Sequence, residues 1–196
     1  MVTYMANLDE LIRQSSPGDQ YVFEALMVNY YNFIYNLTNS ILGDPCEADD
    51  AAQETFIQAT THLSDYQIGT NIKSWLAKIA INLCRDKLRK IKTKKRLHDV
   101  LKALSLQTIQ TSPTPEEIVI KNERQSLIQS VIEGLDEKHR LPVLLRYGQG
   151  MPISEIAQVL EVSEGTIHSR LHYAHLKLRD RLKDFSHDLR HSEEGL

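Results

Sequence analysis

The fold of this chain is decided by the stretch "MPISEIAQVLEVSEGTIHSRLHYAHLKL" at residues 151–178. It carries two short apolar stripes of helical period, separated by the three residues "EVS". Ser163 is placed to cap the second helix, while Val162 before it and Ile167 at the fourth helical position form a hydrophobic staple. The agreement of cap, staple, turn and stripes predicts a helix-turn-helix, for which a plain helical hairpin is the alternative.

The turn between these two helices has one unusual residue. Glu161 stands where glycine is often found, because the backbone at that position tends toward positive φ. A residue with a side chain pays a small cost in that conformation, so we expect mild strain at Glu161.

The second helix presents a polar face opposite its buried stripe. Turning by about 100° per residue groups four side chains on this outward face: His168, Ser169, His172 and Tyr173. Arg170 beside them can reach a phosphate, and Thr166 with Gly165 at the amino end allows close approach of the backbone. Imidazole nitrogens can donate to or accept from base edges, so we expect this face to contact DNA in the major groove.

A metal site is the competing interpretation of the same helix, because His168, His172 and His175 are spaced i, i+4 and i+7. A stable site usually has a fourth ligand or an activating carboxylate, and no acid stands here in HExxH spacing. We therefore expect DNA contact rather than a metal, with exposed histidines without a role as the remaining alternative. No cofactor is expected.

The net charge of −3 is divided into blocks along the chain. Residues 1–66 contain ten acidic side chains against the single base Arg13, whereas residues 67–102 contain eleven Lys and Arg against two acidic side chains. An acidic face suits a basic protein and a basic face suits phosphates, so we expect two partners of opposite charge. An ordinary solvated helix is the alternative for the basic run.

Helical periodicity runs through most of the sequence and no segment alternates as a strand does, so the chain is predicted to be all-α. We predict two small helical domains joined by an extended segment. The boundaries are a first domain at residues 1–96, a flexible linker rich in Thr, Ser, Gln and Pro at 97–118, a helix-turn-helix domain at 119–185 and a polar tail at 186–196.

The sequence also argues against several classes of protein. No run of eighteen apolar residues could span a bilayer, and "MVTYMANLDE" lacks the regions of a signal peptide, so we expect a cytoplasmic protein without membrane insertion. Cys46 and Cys84 stand in no metal-ligand spacing and are expected to be reduced thiols. The GxxxxGK[ST], GxSxG and HExxH motifs do not occur, so we do not expect an enzyme.

Three segments carry a resemblance to a known family: "ADDAAQETF" at 48–56, "SDYQIGTNIKSWLAKIAINLCRDKLRK" at 64–90 and "LPVLLRYGQGMPISEIAQVLEVSEGTIHSRLHYAHLKLR" at 141–179. In this order they resemble the bacterial sigma factors of RNA polymerase, specifically the small two-domain extracytoplasmic-function class (group 4) of the sigma-70 family. The resemblance spans nearly the whole chain. It implies a region 2 helical bundle, a linker that runs toward the RNA exit path of the polymerase, and a region 4 helix-turn-helix.

The resemblance implies a polymerase-binding helix in the first domain. Its "DxxQETF" positions are Asp50, Gln53, Glu54 and Phe56, which would dock on the clamp helices of the largest catalytic subunit of core RNA polymerase. A charged and apolar set of this kind suits a basic helical partner, while Phe56 as a core residue is the alternative. The second domain would bind the flap of the second largest subunit, and an anti-sigma factor is a further partner found in the family.

The resemblance also implies two contacts with promoter DNA. At the minus-10 element, Tyr66 would stack on a flipped base, for which packing of its own loop is the alternative, and Asn82 would contact the same element. Lys78, Arg85, Lys87 and Arg89 would hold phosphates of that strand. At the minus-35 element, the recognition helix would read the major groove through the outward face described above. Many relatives carry Lys or Arg where these histidines stand.

The sequence therefore predicts a sigma factor that binds core polymerase and directs promoter recognition, strand opening and initiation. A stand-alone helix-turn-helix transcription regulator is the first alternative, because it would use the same helix without a polymerase. A metal-dependent hydrolase built on the three histidines is the second.

Overall fold

A computed structural model describes residues 8–104 and 130–193, with side chains over 8–93 and 130–181. Every regular element in these ranges is helical, so the all-α prediction is confirmed. The N-terminal unit contains α1 (Leu8–Gln14), α2 (Gln20–Leu42), α3 (Pro45–Thr61), a short 3-10 turn (Leu63–Asp65) and α4 (Ile72–Leu104). The C-terminal unit contains helical residues 130–133, α5 (Glu137–Val143), a π-turn (Leu144–Gly148), α6 (Ile153–Val159) and α7 (Glu164–Glu193).

Local sequence signals set the ends of α2 and α3. The Asp19 carboxylate accepts hydrogen bonds from the backbone N–H groups of the first turn of α2, which have no partner within the helix. Gly43 ends α2 at a φ of 73°, a conformation that glycine adopts without steric cost. Asp44 caps α3 and Pro45 opens it, where a missing N–H is not needed.

The core of the N-terminal unit lies between α2, α3 and α4. Their fully buried side chains include Leu26, Ile34, Leu37, Phe56, Leu76 and Ile81. The buried hydroxyl of Thr38 donates to the Ala48 carbonyl at 2.8 Å, which satisfies a polar group inside this core. Truncating a buried aromatic such as Phe56 typically lowers the free energy of unfolding by about 3 to 5 kcal/mol. Packing of this strength holds the three helices in fixed relative positions.

The C-terminal unit places α5, α6 and α7 around a second set of buried side chains, which includes Leu141, Leu145, Ile156, Ile167 and Ala174. Pro142 lies inside α5 and cannot donate to the preceding turn. The chain widens into the π-turn directly afterwards, where the Gln149 N–H bonds the Leu144 carbonyl at 3.0 Å. This turn directs the chain into α6, the first helix of the predicted helix-turn-helix.

Two predicted boundaries differ from the structure. Helix α4 runs to Leu104, beyond the predicted linker start at 97, because "RLHDVLKAL" lacks Gly and Pro and keeps apolar residues at helical spacing. Helix α7 runs to Glu193, through most of the tail predicted at 186–196. The linker from 105 to 118, and the predicted domain start at 119, lie outside the described residues.

The two units pack directly on each other. Helix α6 lies against α4, and the π-turn lies against α2. The buried apolar side chains of both units form one continuous cluster. Among the described helices, none is long and apolar enough to cross a membrane.

Candidate promoter and polymerase interfaces

Helix α7 presents the outward face that its sequence predicts. Ile167 and Ala174 are fully buried, while His168, Ser169, His172 and Tyr173 are all exposed. The Thr166 N–H donates to the Ser163 hydroxyl at 3.2 Å, so the predicted cap is present. Arg170 is half-buried beside this face. The geometry leaves the first turns of α7 free to enter a groove.

The turn before α7 contains the strain expected at Glu161. Its φ is 55°, which makes it the one residue other than glycine with positive φ in the described parts of the chain. Its carboxylate accepts a hydrogen bond from the Lys78 ammonium of α4 at 2.6 Å. This bond and the Lys78 charge lower the pKa of Glu161 below its ordinary value.

Tyr173 is held by a residue that the sequence did not single out. The His139 ring on α5 stacks on the Tyr173 ring with 4.2 Å between centroids and 27° between planes. The Lys177 ammonium lies 5.7 Å from the same Tyr173 ring centroid. Tyr173 is still 42% exposed, so it remains accessible while His139 fixes its orientation. Only the tertiary contact between α5 and α7 reveals this role.

His139 makes the stability of the C-terminal unit dependent on pH. Burial is the main cause that lowers its pKa below the ordinary 6.5, and the charges of Lys138 and Arg170 act in the same direction, while Asp136 opposes them. The His139 Nδ1 atom has no hydrogen-bond partner among the described residues, and it lies 3.7 Å from the Asp136 carboxylate. The fold therefore favours the neutral imidazole.

We expect the unit to lose stability as the pH falls below about 6.5, since protonation is easier in the unfolded chain. Above that pH His139 is neutral in both states and does not reduce the free energy of unfolding. The reduction reaches its full size once the pH lies below the lowered pKa of His139 in the folded state. Thermal unfolding between pH 8 and pH 5 tests this for the wild type and for His139→Phe, which keeps a ring against Tyr173 but cannot titrate. An equal decline in both proteins would contradict the assignment to His139.

His168, His172 and His175 are not brought together around one point. The His175 Nε2 atom lies 2.9 Å from the Tyr147 hydroxyl of the π-turn, within hydrogen-bond distance. Where the structure describes side chains, at residues 8–93 and 130–181, no group of three or more His, Cys, Asp or Glu is arranged to hold a metal ion.

Helix α4 carries the polar strip assigned to the minus-10 element. Lys78, Asn82, Arg85 and Arg89 are spaced i, i+4, i+7 and i+11, which places them on one helix face. Arg85 donates to the Asn82 side-chain oxygen at 3.3 Å, and Arg89 pairs with Asp86 at 2.9 Å. Lys87 lies off this strip and pairs with Glu47 of α3 at 2.5 Å.

The C-terminal unit covers part of this strip with acidic side chains. Lys78 pairs with Glu161 at 2.6 Å, and Arg85 pairs with Glu137 at 2.7 Å. One turn before Lys78, the Ser74 hydroxyl donates to the Glu155 carboxylate at 3.1 Å. In this conformation, two of the basic side chains that the resemblance assigns to DNA phosphates, Lys78 and Arg85, are therefore paired with acidic side chains of the same chain.

Tyr66 lies inside the loop that precedes α4. Its side chain is 6% exposed, and its ring packs against Trp75 with 5.2 Å between centroids. Its hydroxyl lies 2.9 Å from the Asp9 carboxylate and 2.8 Å from the Thr70 carbonyl. This packing matches the alternative in which Tyr66 supports the loop; stacking on a base would require the ring to leave this site. Ile68, at 43%, is an exposed side chain of the loop.

Helix α3 presents a mixed acidic and apolar face. Asp50 and Gln53 are exposed and Glu54 is half-buried, whereas Phe56 is fully buried in the core. The next residue, Ile57, is 50% exposed and completes an i, i+3, i+4, i+7 face with the three polar residues. Ile57 lies one residue beyond the motif, which ends at Phe56, so the motif does not include it. The periodicity of α3 could have identified it.

Comparison with protein families finds two matches in chain order. The model of sigma-70 region 2 matches residues 26–94, and the model of sigma-70 region 4 matches residues 131–180. The ECF RNA polymerase sigma factor SigW of Bacillus subtilis is 33% identical over 178 residues, which cover 88% of this chain and 95% of SigW. The RNA polymerase sigma-H factor of Pseudomonas aeruginosa is 27% identical over 83% of this chain and 86% of that protein.

Two solved structures share the fold. CnrH, solved in complex with the cytosolic domain of CnrY, superimposes with a TM-score of 0.65 at 23% identity, covering 90% of this chain and 97% of CnrH. The sigma factor RpoE of Bartonella quintana, solved with the anti-sigma factor NepR, gives a TM-score of 0.61 at 20% identity, covering 82% of this chain and 96% of RpoE.

Proposed function

Since this chain belongs to the extracytoplasmic-function class of sigma-70 RNA polymerase sigma factors, we propose that it binds core polymerase through α3 and promoter DNA through α4 and α7. The observation that carries the proposal is the exposed polar face of α7, formed by His168, Ser169, His172 and Tyr173 behind an intact helix cap. A recognition helix needs such a face, because sequence is read from base edges in the major groove.

At the minus-35 element, the first turns of α7 enter the major groove. His168, Ser169, His172 and Tyr173 contact base edges, whereas Arg170 and Thr166 contact phosphates and set the register. Because His139 already holds the Tyr173 ring, this side chain loses little conformational freedom on binding.

At the minus-10 element, the strip on α4 holds the strand by its phosphates. Lys78, Arg85 and Arg89 supply the charge, and Asn82 supplies a hydrogen-bonding group beside them. The loop before α4 meets the unstacked bases through its exposed residues, with Tyr66 anchoring the loop beneath them. Two of the three basic side chains, Lys78 and Arg85, must first release their acidic partners in the C-terminal unit.

Core polymerase binds the α3 face of Asp50, Gln53, Glu54 and Ile57 through the clamp helices of its largest subunit, and the C-terminal unit through the flap of the second largest. An apolar residue surrounded by acidic groups suits a basic helical partner. The polymerase carries the chemistry, so this chain acts in the cytoplasm as a recognition subunit and not as an enzyme. An anti-sigma factor that covers these surfaces is the further partner we propose.

DNA affinity is expected to rise as the pH falls from 8 to 6. His168 and His172 are exposed on the reading face, and histidine is the side chain that gains positive charge in this range, which favours guanine and phosphate. Fluorescence anisotropy of minus-35 DNA with the protein bound to core polymerase measures the change. The variant His168→Ala, His172→Ala should show a much smaller pH dependence than the wild type; a wild type without pH dependence would contradict the assignment.

Two binding measurements separate this function from a stand-alone regulator. The proposal predicts that the protein comigrates with core polymerase in gel filtration, and that it binds promoter DNA selectively only in that complex. A regulator would bind duplex DNA tightly alone and would not comigrate with core. The second pattern would overturn the proposed function.

A further inference from the structure

We propose that Asp9 of α1 is a positioning residue for the loop at residues 66–71, holding its backbone in the one geometry that selects a base of the minus-10 element. The proposal rests on the function proposed for this loop. It assigns to the N-terminal helix a part in promoter selectivity, through a residue that touches the loop rather than the DNA.

The Asp9 carboxylate holds the loop at two points. Its Oδ1 atom accepts a hydrogen bond from the Tyr66 hydroxyl at 2.9 Å, and its Oδ2 atom accepts one from the Gly69 N–H at 3.2 Å. One carboxylate thus joins the beginning and the middle of the loop. A two-point attachment restrains both the position and the orientation of the peptide between them.

The loop's own bonds complete the restraint. The Thr70 hydroxyl donates to the Gln67 carbonyl at 2.6 Å, and the Thr70 carbonyl lies 2.8 Å from the Tyr66 hydroxyl. Gly69 has a φ of 87°, which a residue with a side chain rarely adopts. Asn71 then caps α4 by accepting from the Lys73 N–H at 2.9 Å. The loop is therefore fixed at its α4 end and needs a support at its centre.

Helix α1 provides a rigid base for that support. Ile12 is buried at 5% exposure, and Leu8 and Leu11 pack against the same core. After α1, the Gly18 N–H donates to the Thr60 carbonyl of α3 at 2.8 Å. These contacts leave Asp9 little freedom to follow a moving loop, so a loop that moves must break its bonds to Asp9.

The protonation states keep this arrangement in place near neutral pH. Burial, together with the hydrogen bond to Asp9, raises the pKa of Tyr66 to about 12, so its hydroxyl stays a donor. A carboxylate only accepts, and both of its neighbours here donate. Asparagine at position 9 would keep both contacts, because its N–H group would donate to the Tyr66 oxygen while the Tyr66 proton turns to the Thr70 carbonyl at 2.8 Å. Alanine removes both acceptors, which makes Asp9→Ala the sharpest substitution.

The experiment uses the full chain bound to core polymerase and a promoter library randomised at the minus-10 and minus-35 positions, with transcript starts sequenced. Asp9→Ala should reduce the preference for the favoured minus-10 base by about fivefold, since the hydrogen bonds to the Tyr66 hydroxyl and to the Gly69 N–H are both lost. The minus-35 preference and the amount of protein bound to core should not change.

Glu10→Gln is the matched control, because Glu10 lies on the same helix but pairs with Arg13 at 3.4 Å, away from the loop. It should leave both preferences as in the wild type. Tyr66→Phe should reproduce the minus-10 defect. The double variant with Asp9→Ala should show a smaller defect than the product of the two single effects, because both substitutions remove the same Asp9–Tyr66 hydrogen bond.

Unchanged minus-10 preference in Asp9→Ala would overturn the proposal. So would an equal loss of activity on all templates accompanied by a lower Tm, which would show that Asp9 only stabilises the domain. Absence of specific starts with the wild type would instead reject the proposed function on which the inference rests.

Discussion

Replacing Glu137 and Glu161 by lysine is expected to raise the affinity of the free protein for single-stranded minus-10 DNA by about tenfold at low salt. The two carboxylates pair with Arg85 at 2.7 Å and with Lys78 at 2.6 Å. A DNA phosphate must therefore compete with these carboxylates for the two basic side chains. The lysines remove that competition and repel α4, so the strip becomes accessible. Anisotropy of a labelled oligonucleotide measures the affinity over a range of salt concentrations.

The added positive charge needs its own control. Glu164→Lys, Asp180→Lys makes the same change in net charge at two exposed positions of α7 that do not pair with α4. This control should raise the affinity much less. Equal gains in the two double variants would show only a general effect of charge, and the acidic residues would then not compete with DNA.

Replacing Ile57 by arginine is expected to weaken the binding of core polymerase by about a hundredfold, the loss typical of a central interface residue. Ile57 is 50% exposed among Asp50, Gln53 and Glu54. The substitution removes the apolar contact and places a positive charge against a basic partner. Titration of labelled core polymerase gives the dissociation constant.

Ile91→Arg is the matched control, because Ile91 is the same residue type, also 50% exposed, and lies on α4 away from the α3 face. It should bind core like the wild type. Phe56→Ala is not an equivalent test, since Phe56 is fully buried and its truncation would destabilise the domain by about 3 to 5 kcal/mol. Normal core binding by Ile57→Arg would show that the clamp helices dock elsewhere.

The parts of the fold that depend on local sequence were predictable. The cap at Ser163, the strain at Glu161 and the exposed face around His168 all follow from residues within about two helical turns. Helical period alone separates the buried Ile167 from its exposed neighbours. These features require no knowledge of what the rest of the chain does.

The parts that depend on distant contacts were not predictable. Asp9 meets Tyr66 across 57 positions of sequence, and Lys78 meets Glu161 across 83. No pattern in a single sequence encodes such pairings, because any exposed carboxylate within reach would satisfy the same hydroxyl or ammonium group. Phe56 and Ile57 are successive residues of α3, so their side chains point about 100° apart around the helix axis. The motif alone did not show which of the two faces outward.

Sigma-factor function is tested most directly by transcription in vitro with core RNA polymerase, fragmented genomic DNA and this protein added or withheld, followed by sequencing of transcript starts. A sigma factor should produce new starts that share two spaced upstream motifs. His168→Ala, His172→Ala should lose the minus-35 motif, and Lys78→Glu, Arg85→Glu should lose starts at all promoters. If the protein produces no new starts and does not comigrate with core, promoter recognition through α4 and α7 is contradicted.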